Sequence, residues 1–212
     1  MRPGALVLLS GPLDSPDWWA SAAGALSRAG HTVLTPRAGA DTPPYAVGWL
    51  ASAASWLHAA APHGPLVFVG HGSAGPLLPA LARTQRAAGR RTGGYVFVDA
   101  TLPRAGQPSH LDLLGAADAG LGSSAHDALH EPAGLWPPEA ARPQPHDFWT
   151  EPLPMAVDWP DAPCAYLATG SGSTGAGEID FWSRSARARG WAVAENADVV
   201  TGLTDLVLSM PG

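Results

Sequence analysis

Short unbroken apolar runs alternate along the chain with longer stretches in which apolar residues recur at three- and four-residue spacing. Ala5-Leu-Val-Leu-Leu9, Pro65-Leu-Val-Phe-Val69, Gly94-Tyr-Val-Phe-Val98 and Pro163 to Ala168 have no polar alternation, the signature of strands buried on both faces. His31 to Thr35 and Trp191 to Glu195 read as further strands. Between them, helices are predicted over Trp18 to Ala29, capped by Ser15 or Asp17 and ended by Gly30. Others are predicted over Tyr45 to Ala60, from the turn Gly70–Gly75 to Ala88 with Pro76 in its first turn, over Gly177 to Arg189, and over Thr201 to Ser209. Strands followed by helices in this order predict an α/β protein with a doubly wound, mainly parallel sheet.

The rhythm breaks between residues 102 and 160. Glu131 to Pro163 alone carries nine prolines together with Trp136, Trp149 and Trp159. Proline restrains the backbone without regular structure and tryptophan supplies large apolar surface, so a lid-like insertion of irregular conformation is expected here. It would lie within one domain spanning residues 1–212. No internal repeat is present.

Composition narrows the function classes. The chain is 46% hydrophobic and 14% charged, a balance that folds. With a net charge of −6 and no basic cluster beyond Arg90-Arg91, it lacks the footprint of a nucleic-acid binder. The apolar run Ala5 to Leu9 is too short for a signal-peptide core or a membrane span. The lone Cys164, in an apolar setting, reads as a structural thiol of a reducing compartment. A cytoplasmic protein with a small-molecule substrate is therefore expected, with no cofactor, membrane or nucleic-acid partner.

The candidate chemistry centres on Val69-Gly70-His71-Gly72-Ser73-Ala74-Gly75-Pro76, where a strand runs through a glycine-rich turn into a helix. This resembles the nucleophile elbow of α/β-hydrolases, in which a tight turn holds a serine above the sheet. The resemblance covers nearly the whole chain. It takes in the loop Leu9-Ser10-Gly11-Pro12-Leu13, the strand end Val98-Asp99, the insertion and Arg189-Gly190-Trp191. It is nearest to small actinobacterial hydrolase-like proteins whose elbow reads Val-Gly-His-Ser-Gly-Ala-Gly-Pro.

That resemblance implies an α/β-hydrolase fold whose catalytic triad has degenerated. The nucleophile position is Gly72, with a serine one place later at Ser73. Ser73 as nucleophile needs the alternative register His71-Gly72-Ser73-Ala74-Gly75; its plainer role is to cap the next helix. The position of the catalytic histidine falls on Val199, and no histidine follows His146 anywhere in the chain. The acid position falls on Ser171. The alternative acid position is Asp99, which without a histidine to orient is left as a general base or a structural carboxylate. Of the oxyanion-hole donors, Pro12 has no N–H; Leu13 could substitute only if the loop shifted, while the Ser73 N–H survives.

Ligands of open α/β sheets bind beyond the carboxyl ends of the strands. A largely apolar pocket is expected there, with Pro12, Leu13, Asp14, Trp18, Gly72, Ser73 and Asp99 beneath and His126, Trp136, His146 and Trp149 from the insertion. Ser73, Asp99 and Asp14 are the candidate catalytic groups. His126 and His130, four apart, share a helix face, but they lack the glutamate of a His-Glu-x-x-His site, so no metal is expected on them or on Asp147. His146 and Asp147 are adjacent and so do not face each other as an acid/base pair, and His71 reads as a packing residue of the turn.

Three functions fit. The chain could be a non-hydrolytic cyclase, isomerase or lyase of natural-product biosynthesis, working by substrate preorganisation and hydrogen bonding, with Gly72 widening the elbow. It could be a non-catalytic binding or scaffold protein. Or it could be a residual esterase using Ser73.

Overall fold

The computed structural model describes residues 4–131, 134–137, 143–170 and 176–210. In chain order the elements are β1 (Ala5–Leu9), α1 (Ala20–Arg28), β2 (Val33–Leu34), α2 (Tyr45–Ala60), β3 (Leu66–His71), α3 (Leu78–Ala87) and β4 (Thr92–Val98). There follow α4 (His110–Ala117), α5 (Ala119–His130), β5 (Leu135–Trp136), β6 (Gln144–Pro145), α6 (His146–Thr150), β7 (Cys164–Ala168), α7 (Ala176–Ala188), β8 (Ala192–Glu195) and α8 (Val199–Ser209). Six strands form a sheet of order β2-β1-β3-β4-β7-β8, and every pairing in it is parallel.

The unbroken apolar runs are explained by what covers them. Val7, Leu9, Phe68, Tyr95, Phe97 and Tyr166 pack toward Trp49 and Leu57 of α2, Leu78 and Leu81 of α3 and Trp182 of α7. Their neighbours Leu6, Leu8, Val67, Val69, Val96, Val98 and Leu167 pack toward Leu26 of α1 and Leu203 and Val207 of α8. Alternate residues of β1, β3, β4 and β7 thus enter opposite cores, and these four strands have no solvent face to make polar.

Two element boundaries shift for local reasons. The tight 3-10 turns Pro16–Trp19 and Gly72–Leu77 precede α1 and α3, so each α-helix starts later than its apolar pattern. Helix α8 starts at Val199, before the expected Thr201, because the Asp198 carboxylate accepts the Val200 N–H at 3.0 Å and caps it.

The insertion between β4 and β7 departs from the expected irregular conformation, because its polar residues cap helices. Ser109 and Asp112 form a reciprocal capping box on α4, and Asp118 accepts the N–H groups of Gly120 and Leu121 to start α5. The two helices cross at Gly115 and Gly122, where a Cβ on Gly122 would lie 2.5 Å from the Gly115 Cα. Under them Tyr45, Leu114, Ala125, Leu129, Phe148 and Trp149 make a separate apolar cluster. Glu151 fastens this unit to the core, accepting the Tyr45 and Ala46 N–H groups at 2.8 and 2.6 Å across the N-terminus of α2.

Candidate active site

The sheet order reverses at β1, with β2 on one side and β3 on the other, and such a switch point opens a crevice beyond the strand ends. Register places Leu9 beside Gly70, so the loop leaving β1 meets the turn leaving β3. Trp49 of α2 helps to hold that loop, donating its indole N–H to the Ser10 carbonyl at 2.9 Å.

The turn is built on glycine. Gly72 has φ +56°, the left-handed region where an L side chain is strained, and it marks Gly72, not Ser73, as the strained residue of the strand-to-helix turn. A Cβ on Gly75 would meet the Thr101 carbonyl oxygen at 2.0 Å, so this backbone crossing also requires glycine. Gly72 is different in kind. A Cβ there would meet only the Asp14 Oδ2, at 3.6 Å, an ordinary contact, and Gly72 is not among the residues lining the cavity at the site.

Asp14 is the centre of the arrangement. Its Oδ2 accepts the Gly11 N–H at 3.2 Å and the Ser73 hydroxyl at 3.2 Å, and the Asp14 N–H closes a turn onto the Gly11 carbonyl at 3.1 Å. A carboxylate thus stands beside the turn between β3 and α3, the segment whose sequence resembles a nucleophile elbow. The same contacts limit what this loop can offer a developing oxyanion. Gly11 has given its N–H to Asp14, Pro12 has none, and a negative charge repels a developing oxyanion.

His71 ends β3 with its ring stacked on Trp18, centroids 3.7 Å apart and planes 16° apart. Both ring nitrogens are buried and have no hydrogen-bond partner among the described residues. Burial holds its pKa below the ordinary imidazole range, and the nearby Asp14 and Asp99 charges pull it part of the way back. Asp99, at φ +43°, is buried and committed: its carboxylate accepts both the Thr169 N–H, at 2.8 Å, and the Thr169 hydroxyl. It therefore ties the end of β4 to the end of β7.

A cavity of about 510 Å³ opens beside Asp14, within the range of small-molecule sites. Pro12, Leu13 and Asp14 line it from the β1 loop, Arg37 and Asp41 from the loop after β2, Tyr45 from α2, and Gln144 between Pro143 and Pro145 from the insertion. Its lining mixes proline with charged side chains, whereas a largely apolar pocket was expected. Arg37, Asp41, Tyr45 and Gln144 escaped sequence reading. The one available signal was that the loop after β2 leaves the carboxyl end of a strand beside the switch point.

The other candidates lie elsewhere. Trp18 stacks on His71 and does not line the cavity. Trp149 is buried in the insertion's own cluster and donates its indole N–H to the Trp136 carbonyl at 3.1 Å, joining α6 to the β5–β6 hairpin, with Trp136 packed at the edge of that cluster. His126 and His130 share the outer face of α5 with ring centroids 4.1 Å apart, and His146 lies 6.2 Å from His130. All three are exposed. Although adjacent in sequence, His146 Nδ1 and Asp147 Oδ1 are 3.2 Å apart, at the surface. Among the described residues no group of three or more such side chains is arranged to hold a metal ion. Val199 packs against the core formed with α1 and α8, and Ser171 lies outside the described residues. Among the described residues no helix is long and apolar enough to cross a membrane.

No protein-family model matches the chain, and no curated protein matches it. Solved structures do. An extracellular α/β-hydrolase from a Paenibacillus species, described as sharing structural and functional homology with tobacco salicylic acid binding protein 2, superposes with a TM-score of 0.65 at 15% identity. That match covers 96% of this chain and 97% of the other. A pyrethroid hydrolase from Sphingobium faniae JZ-2 gives 0.62 at 14% identity over 97% of each chain. Tomato methylketone synthase I, complexed with 2-tridecanone, gives 0.61 at 12% identity over 100% of each. At these identities the likeness is one of architecture, and the architecture of this chain is the α/β-hydrolase fold.

Proposed function

We propose that the protein is a non-hydrolytic enzyme that uses Asp14 as a general base on a small organic carbonyl compound, a cyclase, isomerase or lyase of natural-product biosynthesis. The observation that carries this reading is the Asp14 carboxylate, held by Ser73 and Gly11 beside Gly72 and open to the cavity. Ester hydrolysis by a triad needs an imidazole that the last strand does not deliver and an oxyanion site that this carboxylate opposes. Proton abstraction next to a carbonyl needs one oriented base.

In that step the C–H proton passes to an Asp14 oxygen, the C–H electron pair forms the enolate double bond, and the carbonyl oxygen takes the charge. Return of the proton to another carbon is isomerisation. Attack of the enolate carbon on a second carbonyl of the same molecule, whose oxygen then takes the proton, is cyclisation; with Asp14 instead taking the proton of a β-hydroxyl, C–C cleavage into an enolate and a separate carbonyl compound is a lyase reaction. Tomato methylketone synthase I, a synthase crystallised with a ketone, supports the reading that this architecture accommodates carbonyl compounds.

The test is α-deuterium exchange of carbonyl compounds followed by NMR. Asp14→Asn is expected to slow it by about 10²–10⁴-fold, the usual contribution of a positioned base. The residual-esterase alternative draws on the Ser73 to Asp14 hydrogen bond, and a fluorophosphonate adduct on Ser73 would replace the proposal with it. Ligand-induced stabilisation without any exchange or turnover would favour a binding protein instead.

A further inference from the structure

Enolate formation leaves a negative charge on the substrate oxygen, and the β1 loop has little backbone left to receive it. Gly11 N–H is bonded to Asp14 and Pro12 has no N–H. The cavity nonetheless presents one basic side chain among the described residues that line it, Arg37, on the loop after β2. That loop is tied to the β1 loop by the Ala40 N–H donating to the Pro12 carbonyl at 3.4 Å, so Arg37 and Asp14 belong to two connected walls of one space. Among the described residues Arg37 is engaged only by Asp17, at 3.4 Å with side chains 75% and 73% exposed, and so solvated a pair holds it weakly.

We infer that Arg37 is the electrophilic residue of this site, donating hydrogen bonds from its guanidinium to the oxygen of an enolate formed by Asp14. The inference rests on the reading of Asp14 as base and names the substrate class it acts on, ketones with an acidic α C–H. The guanidinium is a permanent cation with a planar fork of donors, and a cation placed where enolate charge develops lowers the barrier to forming it. In the balanced step the proton moves from carbon to Asp14, the oxygen gains the charge, and Arg37 exchanges its solvated partner Asp17 for that oxygen. No oxidant or co-reactant is consumed.

The experiment uses 2-tetralone as the ketone and 2-naphthol as a stable planar counterpart of its enolate. Bound naphtholate is distinguished from neutral naphthol by its absorbance, and 2-methoxynaphthalene, which cannot ionise, reports the apolar contacts alone. Arg37→Met is expected to weaken naphtholate binding at least about tenfold with 2-methoxynaphthalene affinity and melting temperature unchanged. It is also expected to lower kcat/KM for 2-tetralone exchange by about 100-fold. Arg37→Lys should recover part of both. The inference is overturned if the full-length protein binds no naphtholate, or if Arg37→Met binds it as tightly as the parent. Failure of the Asp14 reading is separable: 2-tetralone exchange would then be insensitive to Asp14→Asn, whatever Arg37 does to naphtholate.

Discussion

The doubly wound sheet and the insertion above it are stabilised in different ways. In the sheet, side chains of one strand alternate between two apolar cores, and the pattern along the chain states the fold directly. In the insertion, helices of eight and twelve residues start at polar caps and close over a third cluster that borrows Tyr45 from α2. Burial of strands is a repeated, local pattern. Closure of the insertion depends on single contacts between distant residues, such as Glu151 with the N-terminus of α2, and those few contacts also shape one wall of the cavity.

Two tryptophans test this difference most strongly. Trp182 in the main core and Trp149 in the insertion are both buried, at 2% and 6% exposure, and replacement of either by alanine is expected to cost about 3–5 kcal/mol. Hydrogen exchange should separate them: Trp182→Ala lowers protection throughout the sheet, whereas Trp149→Ala lowers it in α4 to α6 and leaves β1, β3 and β4 protected. Equal loss in both regions would mean that insertion and sheet are one cooperative unit.

Somewhat smaller is a pH effect to which the insertion contributes through His110. His110 is buried against Phe148, ring centroids 4.6 Å apart, and burial pushes its pKa down to about 4 from an ordinary 6.5. The unfolded chain therefore binds a proton below about pH 6.5 while the folded chain does not until about pH 4. The stability contributed by His110 falls as pH drops through that window, by about 3 kcal/mol, and is flat above it. Urea unfolding at pH 7 and pH 4.5 should show the loss, and His110→Phe should remove the His110 share, leaving that of the buried His71.

The clamp between the two regions comes next. Glu151→Gln keeps an acceptor but removes the charge facing two backbone N–H groups, and about 1.5 kcal/mol of stability should go with it, measured by denaturant midpoint. If the midpoint is unchanged, the insertion is held by its apolar cluster alone. Smallest is Gly72→Ser, expected to cost about 1 kcal/mol because of the positive φ and not because of crowding. It should confer no esterase activity. A gain of hydrolysis would show that the site lacks only its nucleophile.

The elbow and the β8–α8 connection show what remained legible in the sequence, and why. Gly75 is fixed by a backbone crossing at Thr101, so the turn keeps its sequence signature even with no side chain at Gly72. After β8, Asp198 and Val199 start a helix, and the absence of any later histidine could be read without a structure. The role of Asp14 was less legible. It stood among the candidates only as a residue of the β1 loop, since nothing local distinguishes it from Asp17. Arg37 and Asp41 lie in a Gly-, Pro- and Asp-rich loop with no periodicity to give a side chain its direction, and the helices of the insertion were hidden by the prolines that follow them.

By itself the sequence determined the layered α/β architecture and the absence of any histidine after His146, because periodicity and the absence of a residue type are properties of the chain alone. Only the tertiary structure decided that Asp14 meets Ser73 across 59 residues of sequence, that Arg37 faces the same cavity and that Trp149 supports the insertion and does not line the pocket. Those are consequences of parallel register, which sets which loops share the end of the sheet, and side-chain patterns along single strands carry no record of it.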